Sequence, residues 1–270
     1  MLQVSRAVNT DLHAEEVAIQ YAKSLGLTPF EISSRWSICK KCQEAIRNEP
    51  SALNPFTQKM NSNTTFNREA LKKELSVLPQ RSLIAFGASC CERMLPVHEA
   101  FCLLEKWGDH SVLRSALDAV WSHLASPTLQ LQDFRKLTSL CKAQCPSTED
   151  FGNAYVEGAI DAATSMTCLL DVCRQIDVKS ATYIGEFAYH TVYVFLAIAN
   201  DPETELHAGK PDFYNQIIGM PLALAELQKQ QEDLLFLKAA PSLDSATLDA
   251  LRKSSSICGV RPFHRGLLKK

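Results

Sequence analysis

Four side chains near the N-terminus have the types and spacing that bind a metal and move protons. They are His13 and Glu15 in the string LHAEE, and Cys39 and Cys42 in SICKKCQ. One imidazole nitrogen and two thiolates give zinc three protein ligands and leave the fourth position to a water whose pKa the metal lowers. A nearby carboxylate that is not a ligand then shuttles protons, and Glu15 stands two residues past His13, where such a group belongs. The elements that must position these groups are short. Val4 to Asp11 reads as a strand, Ala14 to Leu25 as a helix ended by Gly26 in a left-handed cap, Phe30 to Trp36 as an alternating strand, and Cys39 to Arg47 as a helix closed by Pro50. Strand, helix, strand, helix is a partial α/β unit. It predicts two helix N-termini side by side, whose positive ends favour thiolate.

An H-x-E at one helix start and a C-x-x-C at the next resembles the zinc deaminases of bacterial polymorphic toxins. The resemblance implies His13, Cys39 and Cys42 as zinc ligands and Glu15 as the catalytic acid and base acting on a nucleobase or nucleoside. Ile38 stands where the usual pattern has proline, and only twelve residues precede His13. The opening strands that wall a deaminase pocket are therefore expected to be missing. After Arg47 the chain passes into PSALNPFTQKMNSNTTFN, Pro50 to Asn67, a linker with two prolines and a cluster of Asn, Ser and Thr. The expectation is an α/β fragment over 1–49 that keeps the metal motif and lacks turnover.

Beyond the linker the texture changes to helical periodicity, and a multi-helix bundle is predicted over 68–252. The chain is thus read as mainly α. Asn67 should cap a helix over Arg68 to Leu78, which Pro79 ends. From Leu83 to Leu95 the residues Leu83, Phe86, Gly87, Cys90 and Met94 share one sector at about 100° per residue, with Glu92 opposite, and Pro96 is expected to stop the helix. Asp109 should cap the next helix, where Leu113, Leu117, Val120 and Leu124 form a stripe beside Trp121, and Arg114 pairs with Asp118. Further helices are read over Leu131 to Cys141, Tyr155 to Cys173, Tyr183 to Ala199, Asp212 to Gly219, Pro221 to Lys238 and Ser242 to Arg252. The Tyr183 helix is apolar nearly all round, which places it in the middle of the bundle. Residues 253–270 make a tail with Arg261, Arg265, Lys269 and Lys270.

The strings CCERMLP, WGDHSVLRSALDAVW and GAIDAATS, in that order, are similar to the YjaG family of bacterial proteins, a domain of unknown function. The likeness runs from about Phe66 to Lys238 and implies an all-helical domain, with no reaction attached. Its charged motif residues are Glu92, Arg93, Asp109, Asp118 and Asp161. Glu92 and Asp161 fall away from the apolar faces of their helices, so capping and surface or interhelix ion pairs are the expected roles. Glu186 and His190 stand at a metal-ligand interval of four, but without a second such pair a satisfied hydrogen bond is expected. Cys141 and Cys145 read as packing residues.

The chain has 270 residues, 46% hydrophobic, with a net charge of -2. That is room for a sizeable core and gives no general attraction to nucleic acid. Met1 to Leu12 lacks a hydrophobic run, and Tyr189 to Ala199 is too short to cross a bilayer. No membrane association is expected. Ten cysteines without an export signal suggest thiols in the cytoplasm.

A toxin-deaminase fragment run into a helical domain suggests a non-catalytic binding module of immunity type, with a cognate toxin or another protein as partner. The alternative is a zinc-dependent deaminase with a helical accessory domain. Zinc belongs only to the N-terminal segment in either case. The purified chain should carry zinc that a Cys39→Ser, Cys42→Ser double variant lacks. Equal metal content in the two by atomic emission would reject the ligand assignment.

Overall fold

The computed structural model describes residues 65–153, 155–200, 217–240, 242–256 and 259–260. These belong to the second of two units into which the chain divides, 63–270. His13, Glu15, Cys39 and Cys42 lie outside the described residues, as do the expected helix start at Asp212 and the tail residues Arg261, Arg265, Lys269 and Lys270. The last helix, expected to end at Arg252, runs on to Ser256, so the start of the expected tail is helical. Among the described residues the architecture is eight α-helices without a strand. They are α1 Arg68–Ser76, α2 Gln80–Glu105, α3 His110–Ala125, α4 Leu131–Lys142, α5 Val156–Arg174, α6 Val178–Asn200, α7 Pro221–Ala239 and α8 Ser245–Ser256.

Local signals set most helix starts. Asn67 accepts a hydrogen bond from the Ala70 amide at 2.9 Å, and Asp109 accepts one from Ser111. Each satisfies an amide that the first helical turn leaves without a partner. Pro221 occupies the first turn of α7, where its missing N–H costs nothing. The α6 helix begins at Val178, five residues earlier than expected, because Asp177 caps it by accepting from both the amide and the hydroxyl of Ser180.

Pro96 does not end α2. The helix continues through it to Glu105 and closes in a left-handed turn at Lys106, φ 51°, followed by Gly108, φ 71°. A proline in a helix interior costs about 3 kcal/mol. Continuation buries Val97, Ala100, Phe101 and Cys102, and large apolar side chains contribute roughly 1.5 to 3 kcal/mol each. Burial therefore outweighs the local penalty.

Helix α2 is the hub, packing against α3, α5, α6, α7 and α8. Its first half joins α1, α3, α5 and α6 in the main core around Phe86, Met94, Leu117, Met166 and Ile184. Its second half holds a smaller cluster with Val97, Phe101, Val156, Tyr189, Val192, Ala223 and Val260. Gly158 of α5 permits a close crossing there, since a Cβ would sit 2.6 Å from Val97 Cγ1. Helix α6 meets α1, α2, α5 and α7, yet it is not buried all round: Tyr183, Glu186 and Phe187 are half-buried and His190 is exposed.

The expected stripe of α3 is wholly inside, with Leu113, Leu117 and Val120 at 0% exposure. Leu117→Ala should cost about 2 to 5 kcal/mol through lost transfer energy and a residual cavity. Urea unfolding read by circular dichroism measures it, and a loss under about 1 kcal/mol would contradict the packing.

Candidate functional site

The adjacent residues Glu92 and Arg93 lie about 100° apart around α2 and point into two separate charge clusters, that of Arg93 buried and that of Glu92 completed by partly exposed side chains. Glu92 was expected opposite the apolar face, and Arg93 in a surface or interhelix ion pair. Instead Glu92 is 5% exposed and Arg93 2% exposed. A helical wheel shows which side of α2 is polar, but α3, α7 and α8 cover that side too.

Arg93 donates from Nε and Nη2 to the two carboxylate oxygens of Glu226 on α7, both at 2.8 Å. Such a planar two-point pair is the strong form of an ion pair. Its Nη1 reaches Ser89 Oγ at 2.8 Å and Asp233 Oδ2 at 3.2 Å. Ser89 donates to Asp233 at 2.5 Å and lies 2.6 Å from Ser255 Oγ on α8. Lys229 donates to the other oxygen of Asp233. Gln230 donates to Glu226 and to the Gly185 carbonyl of α6. Two cations, Arg93 and Lys229, thus face two anions, Glu226 and Asp233. Burial alone would lower the Arg93 pKa, but the Glu226 and Asp233 carboxylates outweigh it and hold the guanidinium firmly charged. Gly259, φ 86°, lies against the Arg93 backbone, where a Cβ would come within 2.7 Å of the carbonyl oxygen.

Glu92 accepts from Arg114 Nη1 and Nη2 at 2.7 and 2.9 Å, from Trp121 Nε1 at 2.9 Å and from Arg252 Nε at 3.0 Å. Asp118 accepts from Arg114 Nε at 2.9 Å and from Arg252. This second cluster also holds two cations and two anions, and it ties α2 to α3 and α8. The expected Arg114–Asp118 pair is present as part of it.

The remaining motif residues have separate roles. Asp109 caps α3, and its own amide donates to Gln144 Oε1 at 2.6 Å. Asp161, expected opposite its apolar face, is 4% exposed. It accepts from His190 Nδ1 at 2.7 Å and Thr191 Oγ1 at 3.0 Å, joining α5 to α6. Donating this bond to the Asp161 carboxylate raises the His190 pKa. Glu186 pairs with Arg68 at 2.5 Å, so Glu186 and His190 do not converge on one ligand. His98 is fully buried, and its Nε2 lies 3.0 Å from the Gln144 carbonyl. A carbonyl only accepts, so Nε2 carries the proton and Nδ1 is left to accept from Cys102 Sγ at 3.7 Å.

The seven described cysteines are free. Burial pushes Cys90, Cys141 and Cys173 up to about 12 and Cys102 and Cys168 to about 11, far from nucleophilic thiolates at neutral pH. Cys141 is buried as a packing residue, and Cys145 is partly buried. Among the described residues no group of three or more His, Cys, Asp or Glu is placed to hold a metal ion.

Sequence reading missed Glu226, Lys229, Gln230, Asp233 and Arg252. The signal was a polar stripe at 226, 229, 230 and 233, helical spacing of the kind apolar residues usually occupy. Helix α7 is inside-out along this stretch.

Among the described residues the domain is all-helical, and its motif charges join helix to helix, in one cluster that is buried and one that is partly exposed. Residues 70–261 match the family described as Protein of unknown function (DUF416), and the chain belongs to that family. A crystal structure of a DUF416 family protein from Shewanella baltica OS155 shares the fold, with a TM-score of 0.61 at 22% identity over 70% of this chain and 97% of that one. No curated protein matches the chain. No helix among the described residues is long and apolar enough to cross a membrane.

Arg93→Ala should destabilise the domain by about 3 to 5 kcal/mol, because it leaves Glu226 and Asp233 buried without their guanidinium. Adding Glu226→Ala should cost less than the sum of the two single changes. Additive losses in denaturant titrations would contradict a coupled cluster.

Proposed function

We propose that the helical domain is a non-catalytic binding module of YjaG-like character, acting as an immunity-type partner of a toxin, and that 1–49 is a remnant of a toxin zinc deaminase. The observation that supports this most is the use of the motif charges. Glu92, Arg93, Asp118 and Asp161 are each bonded to side chains on other helices. They maintain shape, which a binding surface needs, and the buried thiols beside them are protonated. Free thiols at every described cysteine suit a reducing, cytoplasmic setting.

The reading makes His13, Cys39 and Cys42 ligands of zinc without giving the chain a working pocket. A deaminase must hold its base against shaped walls, and positioning supplies roughly 7 to 11 kcal/mol of the barrier reduction in a well-oriented site. The spacing of His13, Glu15, Cys39 and Cys42 favours one other reading, an active zinc deaminase carrying a helical accessory domain.

Two measurements separate them. Co-expression of the chain with a polymorphic-toxin deaminase should restore growth of bacteria that the toxin alone arrests, and calorimetry should detect the complex. The chain itself should leave cytidine, adenosine and single- or double-stranded DNA unchanged. Turnover that vanishes in a Glu15→Ala variant would replace the binding reading with the enzymatic one.

A further inference from the structure

After Leu243 the chain advances along α2 from the start of that helix toward its C-terminal end. Arg81 donates to the Leu243 carbonyl at 2.8 Å, Ser89 lies 2.6 Å from Ser255, and Gly259 packs against the Arg93 backbone. Val260 comes next, 1% exposed, in the cluster that holds Val97, Ala100 and Phe101. Later residues of the chain thus cover later parts of the helix.

At about 100° per residue, Arg93, Val97, Ala100 and Leu104 share a sector of about 60° on α2. Val97 and Ala100 are buried on that line, but Leu104 is 48% exposed and Leu103 beside it 54%. The apolar surface continues into Trp107 and Phe151, both half-buried, whose rings meet edge-on with centroids 5.4 Å apart. Around it stand Glu99, Glu105, Asp109, Glu149 and Asp150, against Lys106 and Lys142. An apolar patch with an acidic border is complementary to a segment that is both apolar and basic.

The ten residues that follow Val260, RPFHRGLLKK, have that character. Arg261, Arg265, Lys269 and Lys270 have no acid among them and are interleaved with Phe263, Leu267 and Leu268. We propose that residues 261–270 continue the same path along α2 and dock on Leu104, Trp107 and Phe151, as an intramolecular strap over the end of the helix. Leu104 lies eleven residues beyond Arg93, about 16 Å at 1.5 Å per residue. Ten extended residues span about 33 Å, so the segment reaches the patch from Val260. Phe263 and the Leu267–Leu268 pair supply the apolar contact, and the cations meet the carboxylate border. Tethering next to the site gives the segment an effective concentration of about millimolar or above, so contacts that would be weak between separate molecules hold it. The strap needs only this chain and does not rest on the toxin partner proposed above.

The test places the photo-reactive residue p-benzoylphenylalanine at position 104 of the full chain, where ultraviolet irradiation links it to the segment that covers that point. The expected product migrates as a monomer, and peptide mass spectrometry finds the linkage within 261–270. Changing Arg261, Arg265, Lys269 and Lys270 together to Glu should abolish that linkage. A second readout leaves Leu104 in place: in a Trp36→Phe chain, acrylamide quenching reports mainly on Trp107, because Trp121 is buried. The four-Glu variant should raise that quenching, since the strap no longer shields the indole. Linkage only to other segments, linkage to a second copy, or linkage and quenching unchanged by the charge reversal would overturn the proposal.

Discussion

The arrangement of this domain depends on two consecutive charges of opposite sign on one helix. Glu92 and Arg93 diverge by one helical step, and each meets partners that close its charge to zero. Glu92 draws in Arg114, Trp121 and Arg252, with Asp118 completing the balance; Arg93 draws in Glu226 and Asp233, with Lys229 completing the balance. Removing an ion from water costs several kcal/mol even after relaxation, and only close geometry with further hydrogen bonds offsets it. Both clusters meet that demand through two-point guanidinium–carboxylate pairs.

Net stabilisation is therefore not what these clusters chiefly supply. A hydrophobic replacement of matching volume is often neutral or better. Apolar faces, however, tolerate sliding and rotation, whereas a charge pair is satisfied at one register. The last two helices show the consequence. Helix α8 is fixed to α2 twice, through Arg252 to Glu92 and through Ser255 to Ser89. The chain then lays Gly259 against the Arg93 backbone and buries Val260. The C-terminal part of the fold is thereby keyed to the middle of α2.

Reading the sequence was most successful where local chemistry decides. Asn67 and Asp109 were legible as caps, Leu113 to Leu124 as an inward stripe, and Pro221 as a first-turn proline, since each depends on residues within a few positions. Pro96 was misjudged because its local penalty is exceeded by burial of side chains that follow it. Glu92 and Asp161 were placed correctly on the polar sides of their wheels, but a wheel does not reveal whether another helix covers that side. The inversion of α7 was the largest gap. Its polar stripe becomes intelligible only once Arg93 lies opposite, some 130 residues earlier.

The same neutrality explains how a cysteine can lie inside a charge cluster without becoming reactive. Cys90 Sγ is 3.3 Å from Arg93 Nη2, and a guanidinium at that distance ordinarily favours thiolate. Yet the thiol is pushed up to about 12: desolvation dominates, Arg93 opposes it, and Glu226 and Asp233 add to the rise. The carboxylates that engage the guanidinium also counter its field at the sulfur. Charge balance in the cluster thus acts beyond the helix contacts it makes. It keeps an arginine ionised in the interior while leaving the neighbouring sulfur to pack as a small apolar group.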